Sequence, residues 1–480
     1  MSRPDAIRPS RTDALDQTLT GQVVTRAREI DHLPPHIIAA AQHCILDLLG
    51  VSIAGAREPV TAIIRAEALS EGGLPQSVLW GTGEMVSKAQ AARVNGTAAH
   101  ALDFDDVVSR MDGHPSAPVL PALAAVAAGA DLTGRDFLSA FVAGFETEAL
   151  IGQLMKPSHY ARGFHATATV GTFGAAAAVC HAQRLGKEQW ANAFGIAGSR
   201  ASGLKSMFGT MAKPLQVGAA AENGLRAAAL AARGMTAQTD VLGARQGFRD
   251  TQSDGNGTSE SWYRTEPAIT EVLFKHHAAC YLTHSAIEGA LSLRKFVGQP
   301  NRIDSVEVSV PAGHLSVCNI AHPSTPLEGK FSLRFTTAKA FVAGDLSESA
   351  FSQASLEDSQ VAAILNRVNV RARTDSAVRS STVRVVLTDG SEKTAEVDVN
   401  RPTPPDRLGQ RWQSLTTKFF SLVEPVMGSA GAQQIVDEVA ALPVATTIHP
   451  LLSALSPAPR ANVEGGRVTK TLAEPNGAEQ

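Results

Sequence analysis

The chain has 480 residues, and its 43 Lys and Arg residues against 46 Asp and Glu residues give a formal net charge of −3. This balance argues against a polybasic nucleic-acid-binding protein, and a hydrophobic content of 44% argues against a disordered chain. Aromatic residues make up only 5%, and there are 40 glycines, so we expect a core of closely approaching helices. Charged residues, at 19%, are fewer than usual, which favours a surface partly buried between subunits.

The predicted elements of the first half are helices, because apolar residues recur at helical spacing between capping residues. The predicted helices are 34–54, 87–102, 133–155, 167–185 and 213–233. Ser87 and Thr133 are expected to cap the second and third of these, and Gly186 is expected to end the fourth. Before residue 245, one short strand is predicted, at 77–80.

The second half has a different sequence pattern, with alternating apolar residues that are typical of strands. A polar, Gly-containing segment at 247–261 is predicted to be a loop. Alternating apolar residues then predict strands at 303–310, 368–372, 382–388 and 394–399, with a hairpin turn at Asp389-Gly390. After a proline-rich boundary at 402–405, two helices are predicted at 412–426 and 430–442, docked back on the first helices.

These elements predict a mainly α fold with two domains. The predicted large helical domain consists of 19–267 and 403–455, and the smaller α+β domain consists of 268–402. The ends, 1–18 and 456–480, are predicted to be flexible and disordered, respectively. Residues 1–16 lack the apolar core of a secretory signal, and the apolar runs at 117–130 and 166–179 are too short to span a bilayer. We therefore predict a cytoplasmic protein with no membrane partner and no nucleic-acid partner.

Several common motifs are absent from the sequence. Gly81-Thr82-Gly83 begins like a dinucleotide-binding loop, but Val86 stands where a third Gly is needed. There is no Walker A sequence, no H-E-x-x-H and no G-x-S-x-G. The four cysteines are far apart and form no C-x-x-C pair, so neither a disulfide framework nor a Cys-ligated zinc site is predicted.

The first polar cluster runs from His100 through Asp103, Asp105 and Asp106 to His114. Carboxylates this close raise one another's pKa, so burying them requires cationic or hydrogen-bonding neighbours. A solvated helix end is the simpler interpretation. The position of Asp103 and His114 at either end of one loop favours a functional site.

The second and third clusters precede predicted helices. His165 follows Tyr160 and Arg162 at a helix N-terminus, a place that suits a neutral base or an anion site. A hydrogen-bonded structural histidine is an equally good interpretation. Lys213 also lies at a helix start, where the helix dipole repels it unless an anion is bound nearby. A surface lysine that points to water is the alternative.

The fourth cluster contains Lys275, His277, Cys280 and His284. Metal binding by the two histidines is conceivable, but no carboxylate lies close in sequence, so no metal site is predicted. A buried small side chain is the simpler interpretation of Cys280. Together the clusters supply lysine, histidine and aspartate next to helix N-termini, which suits proton abstraction and elimination on a polycarboxylate.

At these residues the sequence resembles the MmgE/PrpD family, which includes 2-methylcitrate dehydratases, cis-aconitate decarboxylases and an iminodisuccinate epimerase. The matching blocks are HALDFDD (100–106), GHPSAPVLPALAA (113–125), GFHATATVGTFGAA (163–176), MAKPLQVGAAAENG (211–224) and KHHAACYLTHSAIEGAL (275–291). The resemblance implies a large all-α domain made from both chain ends, a smaller α+β lid, a homodimer, and no metal or organic cofactor.

The resemblance also implies a set of catalytic residues in the cleft between helical domain and lid. These are Asp103, His114, His165, Lys213 and Lys275. Tyr160, His277 and Cys280 are assigned as candidate substrate-binding residues.

Two departures from the decarboxylase branch direct the choice of reaction. That branch carries Thr where this chain has Val107, and His where this chain has Cys280, a position at which dehydratase-like members often have Cys. We therefore predict dehydration of a 2-methylcitrate-like hydroxy acid. Epimerisation or isomerisation, and decarboxylation of a related acid with the same acid–base residues, are the alternatives, and a non-catalytic metabolite-binding dimer is a further one.

Overall fold

The computed structural model describes residues 15–259, 266–374 and 380–457. Residues 1–14 of the predicted flexible N-terminus and residues 458–480 of the predicted tail lie outside this range. The described residues form a mainly α fold with one small sheet, as predicted.

The first half is built from helices and one short hairpin. Its helices are α1 (Leu19–Arg28), α2 (Pro35–Gly55), α3 (Pro59–Glu71), α4 (Lys88–Ala101), α5 (Ser116–Ala127), α6 (Gly134–Met155), α7 (Ser158–Ala161), α8 (Ala166–Thr169), α9 (Gly171–Ala182), α10 (Lys187–Arg200), α11 (Ala212–Ala232) and α12 (Phe248–Gln252). The hairpin pairs β1 (Ser77–Val78) with β2 (Met85–Val86) and contains the predicted short strand.

Local capping explains where several helices begin. Ser87 and Thr133 accept hydrogen bonds from the third residue of α4 and α6, and those residues bond back in a capping box, as predicted. Gly186 does not end a helix: α9 stops at Ala182, Arg184 takes the left-handed conformation with φ 52°, and Gly186 caps α10 instead. The Gly186 N–H donates to Gln189 Oε1, which favours an extended Gly186 over a C-cap.

The segment predicted as a loop at 247–261 also differs, because it contains the short helix α12. Phe248 is buried and its ring packs edge-on against Phe173 at 4.8 Å, so burial fixes this single turn of helix. Residues 260 and 261 lie outside the described range.

Small residues let α4 and α11 pack almost backbone to backbone. A Cβ on Gly96 would lie 3.0 Å from Gly218 Cα, and a Cβ on Gly218 would collide with the Arg93 carbonyl. This contact brings the end of α4 and the start of α11 together, and both carry residues of the polar clusters.

The second half contains a four-stranded sheet with strand order β4-β3-β5-β6. The strands are β3 (Ile303–Val310), β4 (Val368–Ala372), β5 (Ser381–Leu387) and β6 (Glu392–Val397), close to the predicted ranges. β3 pairs parallel with β4 and antiparallel with β5, and the predicted turn at Asp389-Gly390 joins β5 to β6. The helices around this sheet are α13 (His284–Val297), α14 (Ala312–Leu315), α15 (Pro326–Gly329), α16 (Leu333–Ala343), α17 (Gln353–Leu356) and α18 (Ser359–Leu365).

The chain returns to the helical half through α19 (Leu408–Ala441) and α20 (His449–Ala454). α19 is interrupted at Gly428, where φ is 73° and ψ is 164°, so it corresponds to the two predicted C-terminal helices. It packs along α2, which is the one described helix long and apolar enough to cross a membrane. In α2, 83% of the most apolar window is buried inside the fold, which accounts for its composition. The division into domains stays a prediction.

Candidate active site

The loop that follows α4 buries all three of its carboxylates. Asp103 is 4% exposed, Asp105 is 0% exposed and Asp106 is 1% exposed, so the solvated helix end considered from the sequence is wrong. The same loop is tied to the segment that carries Lys275, because Val107 and Leu273 exchange backbone hydrogen bonds, each 2.9 Å long. This pairing brings Lys275 beside Asp103.

Asp103 lies between two lysines. Its Oδ1 accepts a hydrogen bond from Lys213 Nζ at 3.0 Å and from Lys275 Nζ at 2.7 Å. Lys275 Nζ also donates to the Asp103 carbonyl at 2.7 Å. Lys213 is 5% exposed and is therefore not a surface lysine. The anion that its place at a helix start requires is supplied by the protein itself.

A second chain of contacts joins two histidines through one carboxylate. Lys213 Nζ lies 2.7 Å from His100 Nε2, and His100 Nδ1 lies 2.8 Å from Asp105 Oδ2. Because the ammonium can only donate, His100 accepts at Nε2 and donates from Nδ1 to the carboxylate. His114 Nδ1 lies 3.2 Å from the same Asp105 oxygen, and its Nε2 lies 3.9 Å from Asp103 Oδ1.

His165 is held as a neutral imidazole with one free nitrogen. It precedes α8, as predicted, and its Nδ1 lies 2.8 Å from Gln216 Oε1. The Gln216 amide donates to the Leu204 carbonyl at 3.3 Å, which orients Oε1 toward the ring and assigns the proton to Nδ1. His165 Nε2 is buried and has no hydrogen-bond partner among the described residues. An unprotonated, unpartnered imidazole nitrogen is suited to accepting a proton.

The electrostatics separate ionised carboxylates from neutral imidazoles. Burial alone would raise the pKa of Asp103, but Lys213 and Lys275 outweigh it and hold that pKa well below its usual value. In the same way, His100 and His114 hold the pKa of Asp105 well below normal against the effect of burial. Burial lowers the pKa of His100 to about 4. Burial, followed by Lys213, lowers the pKa of His165 well below its usual value.

Asp106 behaves differently from the other two carboxylates. Burial raises its pKa to about 7, with repulsion from Asp47 and Asp105 adding to the shift and a hydrogen bond from Ser116 opposing it. Its oxygens accept from the Ser116 backbone N–H and hydroxyl, so Asp106 anchors the start of α5. We therefore treat Asp106 as a structural residue.

The three predicted substrate-binding residues are placed differently. Cys280 is partly exposed, and a hydrogen bond from Cys318 lowers the pKa of its thiol; Asp103 and Lys275 lie close enough to act on the same thiol, so Cys280 borders the cluster. Tyr160 is partly buried, and its ring contacts Lys205 Nζ at 3.7 Å. His277 instead contacts Glu288 Oε1 at 2.8 Å and the His284 ring at 5.0 Å, so the structure does not place it with the Asp103 cluster.

Some residues of the site were not assigned from the sequence. His100 and Asp105 stand in the HALDFDD block, three residues before and two after Asp103, and this proximity was the available signal. Lys330 is 4% exposed and donates to the Leu102 carbonyl at 2.6 Å, and burial lowers its pKa to about 8. No local sequence pattern marks Lys330 as part of the site.

His100, Asp103, Asp105 and His114 offer ligand atoms within 4.8 Å of one another, a spacing that could hold a metal ion. The donor set does not fit one. Asp103 Oδ1 already binds two ammonium groups, and His100 Nε2 faces one of them, so a cation here would meet two positive charges within hydrogen-bond distance of its ligands.

Comparison with known proteins covers almost the whole described chain. The MmgE/PrpD N-terminal domain matches residues 22–261, and the MmgE/PrpD C-terminal domain matches residues 277–442. The human cis-aconitate decarboxylase is 26% identical over 420 residues, covering 82% of this chain and 86% of the relative. The cis-aconitate decarboxylase of Aspergillus terreus is 27% identical over 463 residues, covering 89% and 93%. A cis-aconitate decarboxylase-like protein, oryM, of Aspergillus oryzae is 26% identical over 471 residues, covering 90% and 95%.

Proposed function

Because the chain belongs to the MmgE/PrpD family, we propose that it is a lyase that removes a carboxylate group from a small unsaturated tricarboxylate of the cis-aconitate type. The similarity to cis-aconitate decarboxylases over more than four fifths of both chains supports this reaction over the dehydration expected from the sequence. The observation that carries a lyase function is the buried, unpartnered His165 Nε2 beside the lysine–aspartate cluster.

The lysines hold the substrate carboxylates in this proposal. An ammonium group has three N–H donors. Lys213 uses two of them on Asp103 and His100, and Lys275 uses two on the carboxylate and carbonyl of Asp103. One donor on each remains for an incoming carboxylate. Preorganised positive charge of this kind stabilises the negative charge that develops on carbon when CO2 departs.

The histidines transfer the proton. When the C–CO2⁻ bond breaks, its electron pair stays on the substrate carbon, delocalised toward a carboxylate that the lysines hold. A proton then forms the new C–H bond, and one proton is taken up from solvent per CO2 released. Burial lowers the pKa of His114, and Asp105, whose Oδ2 lies 3.2 Å from Nδ1, opposes that shift; because of this carboxylate contact we assign the proton donor to His114. His165, whose Nε2 has no hydrogen-bond partner among the described residues, would receive a proton only in a reaction that removes one from the substrate, such as dehydration.

Dehydration of a 2-methylcitrate-like acid is the second candidate. Two observations favour it: Cys280 occupies the position where the decarboxylase branch carries His, and the free His165 nitrogen suits abstraction of a proton alpha to a carboxylate. The same lysines would hold its carboxylates.

Product analysis by NMR in deuterated buffer distinguishes the reactions. The purified protein is incubated with cis-aconitate, 2-methylcitrate, citrate or iminodisuccinate. Decarboxylation releases CO2 and places one deuterium on a carbon of the delocalised carbanion that remains. Dehydration produces a new alkene without loss of CO2, and epimerisation introduces deuterium with neither change. Saturable binding without turnover of any acid in the panel would contradict the proposed lyase.

Two variants test the residues on whichever acid is turned over. His165→Ala and Lys213→Ala should each lower kcat by at least about 10²-fold, because acid–base and electrostatic groups contribute about 10²–10⁴. His449→Ala, which changes an exposed histidine far along the chain, is the matched control. Near-normal kcat in both active-site variants would refute the assignment.

A further inference from the structure

A cavity of about 340 Å³ lies next to the segment that carries Lys275. We call it the Arg411 cavity. Residues of 272–276 and of the turn before α13 form one side, and residues of 399–415, including the start of α19, form the other. None of the residues assigned to the reaction lines it.

Arg411 is the unusual residue of this cavity. It is 8% exposed, and its Nε donates to His43 Nδ1 at 2.7 Å. Both terminal nitrogens, Nη1 and Nη2, are buried without a hydrogen-bond partner among the described residues. Its guanidinium carbon lies 5.2 Å from the centre of the Phe274 ring. A buried guanidinium with two unpaired nitrogens is costly unless an anion binds it.

In the described part of the chain, no acidic side chain forms an ion pair with the Arg411 guanidinium. His43 is neutral, because burial, followed by Arg411, lowers its pKa to about 3. Glu288 is the one acid among the described residues that line the cavity, and His277 holds its carboxylate at 2.8 Å. Arg401 and Arg407 add two exposed positive charges at the cavity wall, with Asp398 lying 3.9 Å from the former.

The start of α19 adds a further attraction for anions. Its N-cap residue, Arg407, makes no side-chain capping hydrogen bond, and the first turn of the helix lines the cavity through Gln410 and Arg411. The dipole of a helix N-terminus favours negative charge. The helix dipole and the guanidinium groups thus both attract an anion to the cavity.

The cavity lies directly behind the candidate active site. Phe274 and His276 line it, whereas Lys275, between them, points to Asp103. On α19, Lys418 lies two turns beyond Arg411 and donates to the Lys275 carbonyl at 3.1 Å. An occupant of the cavity would therefore contact the segment 272–276, which carries Lys275.

We propose that the Arg411 cavity binds a small, multiply charged oxyanion with Arg411 as its central ligand, and that occupancy steadies the segment 272–276. Phosphate and carboxylate groups both offer the planar oxygen pairs that a guanidinium fork binds with two hydrogen bonds. The site is separate from the reaction proposed above and does not depend on it.

Calorimetric titration in a low-salt buffer without oxyanions tests the proposal on the full chain. The probes are inorganic phosphate and tricarballylate, a saturated tricarboxylate, and the better binder identifies the ligand class. Arg411→Gln should weaken binding at least about tenfold, as expected for loss of charge-assisted hydrogen bonds. The double variant Arg401→Gln/Arg407→Gln, which changes two exposed residues, should also weaken binding. Because these residues are exposed, this test does not depend on whether the Arg411 variant folds.

Two controls locate the binding. Arg245→Gln removes an exposed arginine outside the cavity and should leave the affinity unchanged. Lys213→Ala should leave the Arg411-dependent binding intact, because this lysine belongs to the other site. Hydrogen exchange within 272–276 should slow on addition of the binding anion in the unchanged protein and not in Arg411→Gln. Absence of saturable binding of both probes, or affinities equal in all variants, would overturn the proposal.

Discussion

Asp103 organises the candidate site around one carboxylate oxygen. Two ammonium groups converge on it, and the residue itself takes a left-handed conformation with φ 51°. Such a conformation costs energy for a residue other than glycine, and clusters of such residues are typical of functional sites. Asp103 therefore offsets part of the buried positive charge before any substrate arrives, and it orients both ammonium groups.

A pH-dependent stability follows from Asp106. Its pKa in the folded protein is about 7, against 3.8 when unfolded, so between these values the folded state binds a proton that the unfolded state does not. This residue's contribution to stability is therefore present below pH 3.8 and is lost as the pH rises through about 7.

The variant Asp106→Asn tests this sign, because an amide imitates the protonated carboxyl. The free energy of unfolding of the variant, relative to that of the unchanged protein, should be higher at pH 8 than at pH 5. The expected increase is about 1.4 kcal/mol for each unit of the Asp106 pKa shift that lies between these two pH values. Urea unfolding at both pH values measures it, with the exposed Asp304→Asn as control. Parallel stability curves for the two proteins would refute a raised pKa at Asp106.

At this scale the sequence singled out most of the site. Asp103, His114, His165, Lys213 and Lys275 were predicted and lie in or beside one cluster. Their catalytic roles stay predictions. His277 was expected to bind substrate, but it pairs with Glu288 of α13. A linear pattern does not show which way a side chain points after a turn.

Among the elements, the packing of α4 against α11 positions the site. His100 ends one helix and Lys213 begins the other, and they meet because Gly96 and Gly218 let the backbones approach. The abundance of small residues in the sequence thus has a specific consequence: it brings two polar helix ends within hydrogen-bond distance.

Gly218→Ala should weaken this packing. The new Cβ would collide with the Arg93 carbonyl and the Thr97 hydroxyl, and overpacking of this kind costs about 1–3 kcal/mol. Thermal and urea unfolding measure the loss. Gly313→Ala is the matched control, because its Cβ would meet open space. Equal stabilities of the two variants would contradict the close approach.

Capping residues made some boundaries predictable and others not. Ser87 and Thr133 act within their own turns, so both were correctly predicted as N-caps. The end of α9 was wrong by three residues, because Arg184 rather than a glycine takes the left-handed position. Whether the left-handed residue after α9 is Arg184 or Gly186 depends on where α10 begins. The residue pattern of α9 alone does not show this.

For the whole molecule, a homodimer is predicted from the family resemblance and the low charge content. Sedimentation velocity or light scattering at micromolar concentration should give about twice the chain mass of 50.2 kDa. Association is expected to bury surface that a charge-poor chain would otherwise expose. A mass equal to one chain across the concentration range would contradict this prediction. The cytoplasmic location also stays a prediction.

The sequence by itself determined the four strands of the larger sheet, helices α4, α6 and α11, the MmgE/PrpD family and the polar blocks. These are local properties: periodicity, capping and short motifs need only neighbouring residues. Tertiary structure decided which charges meet. Lys275 reaches Asp103 across 172 positions through the Val107–Leu273 pairing, and Arg411 is left without an acidic partner among the described residues. Which charges meet depends on burial and on contacts between residues distant in sequence. A charge that burial removes from water must be paired, and the local sequence does not show which charges are buried.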